Sequence, residues 1–118
     1  MKAADYRTTM TEDALLATVK AMAKQLGWLV YHTHDSRRSD AGLPDIIAVR
    51  KGVLIFAELK REGQKPTPAQ NEWIGALATV QAEAEHWVSD VPKPFVDRPV
   101  RVYVWRPSDL ADIERILR

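Results

Sequence analysis

The sequence predicts an α/β fold, in which a mixed central β-sheet is flanked by α-helices. Two observations support this class. Apolar residues recur at helical spacing in some segments, and other short runs are rich in β-branched and aromatic residues or alternate between apolar and polar. These segments follow the order helix, three strands, helix, strand and helix. That order favours one sheet with helices packed against it, and a length of 118 residues fits one domain over residues 1–118.

The N-terminal third predicts a helix, a strand and a loop. The helix begins after Thr11 or Thr9, either of which is a good cap. Gly27 ends it. Residues 28–34 predict a strand, and residues 35–43 predict a polar loop. The helix carries one apolar stripe, formed by Leu15, Val19, Met22 and Leu26.

The rest of the chain begins with two strands, 44–50 and 53–60, around the turn-like pair Lys51-Gly52. A loop at 61–68 leads to a helix that starts at Thr67 or Pro68 and runs to about Ala84. Whether residues 87–88 form a short strand is left open, and residues 91–99 predict an irregular proline-rich segment. Residues 100–106 predict a strand, and Ser108 is expected to cap a last helix.

Composition and charge exclude several classes of protein. The chain has no cysteine, which excludes disulfide scaffolds and thiolate metal sites. Its formal net charge of +1 excludes nucleic-acid binding driven by overall charge, so any DNA contact must use local patches. The N-terminus has no apolar run typical of a signal peptide, and no stretch is apolar enough to span a membrane. We therefore expect an intracellular protein with no membrane partner.

The predicted hairpin places two carboxylates side by side. A two-residue loop at Lys51-Gly52 pairs Arg50 with Val53, and stepping back along both strands pairs Asp45 with Glu58. Directly opposed residues have Cβ atoms about 4.5–5.5 Å apart. The sequence therefore predicts an acidic pair at the open end of the hairpin.

This acidic pair suggests a metal site. Adjacent carboxylates repel, and a divalent cation compensates for that repulsion. The all-oxygen donor set of Asp45 and Glu58 favours Mg²⁺ or Mn²⁺. Lys60, two residues beyond Glu58, is placed to orient a water or to neutralise a phosphate, which suits phosphodiester hydrolysis. The alternative is that all three are ordinary solvated charges of a strand and a turn.

Glu12 extends the helix stripe backwards by one step from Leu15 and therefore faces the core side. It is a candidate third oxygen ligand for the same metal. The alternative is a first-turn acid that is favoured there by the helix dipole.

Two segments of the hairpin resemble a known nuclease signature. Residues 42–45 read Gly-Leu-Pro-Asp and residues 58–60 read Glu-Leu-Lys, which resembles the PD-(D/E)xK pattern. Residues 63–70, Gly-Gln-Lys-Pro-Thr-Pro-Ala-Gln, are similar to the VRR-NUC subgroup of that superfamily. The resemblance covers residues 12–107 and includes the segments 31–33, 36–38 and 104–107.

The resemblance implies a restriction-endonuclease-like fold and a DNA nuclease that depends on Mg²⁺ or Mn²⁺. It also implies a compact stand-alone type from phages or bacteria, a homodimer, and branched DNA such as a Holliday junction as the favoured substrate. The proline-rich segment 91–99 is longer than expected for the subgroup, and its role is left open. The implied site consists of Asp45, Glu58, Glu12 and the Leu59 carbonyl as metal ligands, with Lys60 and Gln70 as further catalytic residues.

Loops around the site are predicted to grip phosphates through five basic residues: Arg37, Arg38, Lys51, Arg61 and Lys65. The alternative is that each is an ordinary solvated charge. Two rival functions stay open for the chain as a whole. One is a nuclease-like module that binds DNA without cutting it, and the other is an interaction protein whose hairpin charges are merely solvated.

Overall fold

The computed structural model describes residues 5–33, 40–86 and 100–118. Residues 87–88, for which the sequence leaves the strand assignment open, and the proline-rich segment 91–99 lie outside these residues. In chain order the elements are α1 (Asp5–Thr9), α2 (Glu12–Gln25), β1 (Leu29–His32), β2 (Ile46–Arg50), β3 (Val53–Leu59), α3 (Pro68–His86), β4 (Val100–Trp105), a 3₁₀ turn (Pro107–Asp109) and α4 (Leu110–Leu117).

The described strands form one mixed sheet in the order β1-β2-β3-β4. β2 runs antiparallel to both β1 and β3, whereas β3 and β4 are parallel. Parallel neighbours need a crossover connection, because the chain must return to the starting end of the sheet, and α3 lies in that connection. A mixed sheet flanked by helices confirms the predicted α/β class. None of the described helices combines the length and the apolar character that crossing a bilayer requires.

Helix α2 begins at the predicted cap. The Oγ1 of Thr11 accepts a hydrogen bond from the Ala14 N–H at 3.1 Å. The helix ends at Gln25, and Gly27 follows with a φ of 89°, in the left-handed region. Thr9 instead belongs to the short helix α1, which the sequence did not predict because five residues are too few to show an apolar period.

The core lies between one face of the sheet and the helices α2 and α4. Alternation along β3 sends Leu54, Phe56 and Glu58 to the opposite face. That second face is more open, since Leu29 and Tyr31 of β1 are 77% and 61% exposed. The buried apolar residues are Leu15, Val19, Ala23, Trp28, Ile46, Ala48, Ile55, Ala57, Leu59, Trp105, Ile113 and Leu117.

Trp28 lies outside β1, although the sequence predicted a strand that begins with it. Its indole Nε1 donates a hydrogen bond to the Leu117 carbonyl at 2.9 Å, and the Arg50 guanidinium lies 4.6 Å from the ring centroid. Arg50 also donates to the carbonyls of Leu26 at 2.8 Å and Arg118 at 2.9 Å. One side chain thus joins the ends of α2, β2 and α4.

The prediction that Ser108 caps the last helix is wrong. A 3₁₀ turn precedes α4, and the Asp109 carboxylate accepts the Arg106 N–H at 2.8 Å. The Ser108 N–H donates instead to the Glu62 carboxylate at 2.6 Å. A contact with a distant loop therefore replaces the local cap that the sequence suggested.

We expect Arg50→Lys to lower the free energy of unfolding by about 1–2 kcal/mol, because an ammonium cannot reach two carbonyls in a fixed fork while covering the indole ring. Urea unfolding at constant pH measures this loss. Arg101→Lys, on the exposed side of β4, is the matched control and should change stability by less than about 0.5 kcal/mol. Equal effects of the two variants would contradict the assigned role of Arg50.

Candidate functional site

The turn between β2 and β3 sets the register of the site. Lys51 and Gly52 both have positive φ, 49° and 80°, as a two-residue type I′ turn requires. The observed pairs, from Arg50↔Val53 to Ile46↔Ala57, confirm the predicted register. One further step in this register would place Asp45 opposite Glu58, and the charge of Asp45 does act on Glu58.

Pro44 changes the hydrogen bonding at the end of this ladder. The next position opposite Leu59 is Pro44, which has no N–H to donate. The Leu59 N–H is bound instead by the Asp45 Oδ2 at 2.8 Å. Because the N–H and C=O of one strand residue point the same way, the Leu59 carbonyl faces the same side and receives no N–H from Pro44. The Asp45 carboxylate is therefore fixed at the end of β3 by the N–H of the residue whose carbonyl the resemblance implies as a ligand.

Gly42 brings the preceding loop against the first turn of α3. Its φ is 106°, and a Cβ built there would lie 2.4 Å from the Ala69 carbonyl oxygen. Only glycine permits this close approach without movement of the backbone. The approach brings the loop that precedes Asp45 against the first turn of α3, from which Gln70 reaches Glu58.

Glu58 is a buried carboxylate with one unsatisfied oxygen. The residue is 1% exposed, and its Oε1 accepts a hydrogen bond from the Gln70 Nε2 at 2.8 Å. Its Oε2 is buried without a hydrogen-bond partner. Burial, the negative charge of Asp45 and a hydrogen bond of the protonated acid to the Asp45 side chain raise the pKa of Glu58 from 4.5 to about 8. The positive charge near Glu58 is therefore too weak to offset burial and the charge of Asp45.

Lys60 supplies only part of that charge. Its Nζ lies 3.8 Å from the Glu58 Oε1 and 3.8 Å from the Glu12 Oε1. Lys60 is largely buried, and its main-chain N–H donates to the Trp105 carbonyl at 3.0 Å. The ammonium is therefore held between an acid of β3 and an acid at the start of α2.

The donor atoms fit a hard divalent cation. Asp45, Glu58 and the Leu59 carbonyl offer only oxygen, and the unsatisfied Glu58 Oε2 is a free ligand atom. Mg²⁺ usually keeps several waters and binds through one or two carboxylates plus substrate phosphates, so a third acid is not required.

The expected three-acid cluster of Glu12, Asp45 and Glu58 is not assembled. Across residues 5–33, 40–86 and 100–118, no three His, Cys, Asp or Glu side chains lie close enough to hold a metal ion. Glu12 contacts Lys60 instead. A direct role of Glu12 on the metal stays a prediction.

The predicted basic residues divide by position. Arg61 and Lys65 are exposed on the loop that follows Lys60. Lys51 lies at the turn, at the other end of the seven-residue strand β3, so it is roughly 20 Å from Glu58 at about 3.3 Å per residue. The structure therefore does not bring Lys51 to the site, contrary to expectation. Arg37 and Arg38 lie outside the described residues.

Thr67 is the site residue whose role sequence reasoning missed. Its Oγ1 accepts the Gln70 N–H at 3.2 Å, and its own N–H donates to the Gln70 Oε1 at 2.7 Å. The sequence Thr-x-x-Gln ahead of an apolar helix is the pattern of such a capping box, so the signal was present.

Stability should depend on pH through Glu58 when no divalent metal is present. Because the pKa of Glu58 is about 8 in the folded state and 4.5 for the free carboxyl, the folded state keeps a proton that the unfolded state loses. The penalty therefore appears above about pH 4.5 and is complete above about pH 8. At pH 8.5 in EDTA we expect the free energy of unfolding of Glu58→Gln to exceed that of the wild type by roughly a few kcal/mol. At pH 4 the two proteins should have similar free energies of unfolding.

Urea unfolding across this pH range measures the difference between the two proteins. Glu72→Gln, an exposed acid of α3, is the matched control and should follow the wild-type curve. Parallel curves for Glu58→Gln and the wild type would contradict the raised pKa.

Comparisons with known proteins complete the description of the site. Neither protein-family models, nor curated proteins, nor solved structures matched this chain. The resemblance to VRR-NUC nucleases therefore rests on the sequence motifs.

Proposed function

We propose that this chain is a metal-dependent DNA endonuclease with a restriction-endonuclease-like fold of the VRR-NUC type. One observation carries the proposal: Glu58 is almost fully buried, leaves Oε2 without a partner, and lies close enough to Asp45 for that charge to raise its pKa. A buried carboxylate beside a second acid is unfavourable unless a cation compensates. A structural role alone does not account for an acid at this position, since a neutral side chain would avoid the repulsion.

Asp45, Glu58 and the Leu59 carbonyl would hold the Mg²⁺ or Mn²⁺ ion. When bound, the ion polarises a phosphate and lowers the pKa of bound water. Asp45 is oriented by the Leu59 N–H, so one carboxylate oxygen is restrained by the end of β3. Glu58 is oriented by Gln70 through Oε1, which leaves Oε2 for the ion.

Lys60 would orient the attacking water or a phosphate oxygen. Its Nζ is held 3.8 Å from both Glu58 and Glu12, so it stays at the metal-binding end of β3. Two restraining carboxylates limit the conformations of a long side chain, which reduces the entropy lost on binding substrate. Glu12 therefore acts on Lys60 in this proposal, whether or not it also contacts the metal.

The same proposal includes the residues that contact DNA, a homodimeric state and an intracellular location. Arg61 and Lys65 are exposed beside the site and supply phosphate contacts. A homodimer would double the basic surface of a chain whose formal net charge is only +1, and would place two sites for two strands. Branched DNA as the substrate, and an intracellular phage or bacterial setting, follow from the sequence resemblance.

The test is cleavage of a labelled four-way junction, duplex and single strand in Mg²⁺, Mn²⁺ or EDTA. We expect cutting that requires the metal and that falls at least about 100-fold in Asp45→Asn, Glu58→Gln and Lys60→Ala. The matched controls Glu72→Gln and Lys24→Ala alter exposed side chains of α3 and α2 and should cut like the wild type.

Different failures have different meanings. Tight DNA binding with no cutting in either metal would favour the catalytically silent DNA-binding module. Absence of DNA binding, of Mg²⁺ binding and of cutting in the folded protein would reject both readings and favour the interaction protein.

A further inference from the structure

The first turn of α3 reaches Glu58 through a pair of reciprocal hydrogen bonds. Thr67 precedes the helix, and its Oγ1 accepts the Gln70 N–H at 3.2 Å. The Gln70 Oε1 in turn accepts the Thr67 N–H at 2.7 Å. This is a capping box, in which two orphan N–H groups of a helix start are satisfied.

The capping box decides which end of the Gln70 amide faces the site. An amide has one oxygen, which only accepts, and one nitrogen, which only donates. Because the Thr67 N–H binds Oε1, the Nε2 is turned to Glu58 and donates to its Oε1 at 2.8 Å. The reverse orientation would set an amide oxygen against a carboxylate and would leave the Thr67 N–H facing another donor.

The same arrangement decides which oxygen of Glu58 is offered to a ligand. Gln70 donates to Oε1, and the Lys60 Nζ lies 3.8 Å from that same oxygen. Oε2 is buried and has no hydrogen-bond partner. The donors are thus gathered on one oxygen, and the other is left for a cation.

We propose that Thr67 is a positioning residue for the metal site: its side chain holds the first turn of α3, the turn orients the Gln70 amide, and the amide turns Glu58 so that Oε2 is presented. This inference rests on the proposed function and assigns Gln70 a positioning role as well. Loss of the Thr67 hydroxyl loosens the first turn, so the short contact between the Thr67 N–H and the Gln70 Oε1 is lost with it.

The test is a double-mutant cycle read by Mg²⁺ titration of the full chain without DNA. Partners that orient a metal ligand typically contribute 10–100-fold to metal affinity. We expect Thr67→Val to weaken Mg²⁺ binding about tenfold, and Thr67→Ser, which keeps the hydroxyl, to restore it. In a Gln70→Met background Thr67→Val should have no further effect, since the residue it acts through is gone.

A control in the same helix separates positioning from stability. Ala76→Gly, on the exposed part of α3, weakens the helix by an amount similar to loss of a cap but leaves the capping box intact. It should lower the melting temperature as Thr67→Val does, without changing Mg²⁺ affinity. Equal effects of the two variants on Mg²⁺ affinity, or an unchanged effect of Thr67→Val in the Gln70→Met background, would overturn the proposal.

A metal-free measurement distinguishes this proposal from the proposed function. The side-chain amide protons of Gln70 report their hydrogen bond to Glu58 in an NMR spectrum recorded in EDTA, and should shift in Thr67→Val but not in Thr67→Ser or Ala76→Gly. An unshifted signal in Thr67→Val rejects the positioning role while leaving the nuclease proposal intact. A shifted signal in a protein that neither binds Mg²⁺ nor cuts DNA supports the orientation by Thr67 and rejects the nuclease.

Discussion

The site depends on one constraint: the Glu58 carboxylate is buried beside a second acid, Asp45. Glu58 is 1% exposed, yet one of its oxygens has no hydrogen-bond partner. Burial and the neighbouring Asp45 disfavour the ionised form, so the pKa rises to about 8 and the folded protein keeps the proton at neutral pH at a cost in stability. In the ionised form the carboxylate carries a charge that its neighbours compensate only in part, and the proposed metal ion would supply the rest.

Three elements reach Glu58 by different routes. The β2–β3 turn sets Asp45 opposite it, the first turn of α3 brings the Gln70 amide to Oε1, and α2 contributes Glu12 to the ion pair with Lys60. Each route uses an ordinary rule of local structure, namely a type I′ turn, a capping box and a capped helix start. The arrangement of the site comes from their convergence, since each element contributes a different side chain to it.

The loop between β3 and α3 is tied to the end of the sheet. Arg106 donates to the Gln64 carbonyl at 2.7 Å, and the Ser108 N–H donates to Glu62. The bonds from Ser108 lower the pKa of the Glu62 carboxyl. The exposed Lys65 is therefore carried on a loop with restrained ends, which reduces the conformational entropy that a phosphate contact would lose.

The sequence by itself determined the α/β class and the hairpin register, and it narrowed the first helix cap to Thr11 or Thr9 and the start of α3 to Thr67 or Pro68, because turn chemistry, alternation and capping act between residues near in the chain. It could not show that Glu58 is buried with one oxygen free, that Glu12 pairs with Lys60, or that Ser108 binds Glu62 in preference to capping a helix. Nor did it show that Lys51 lies at the far end of β3 from the carboxylates. Those outcomes depend on contacts between residues distant in the chain, and only the packing of helices and loops around the sheet decides them.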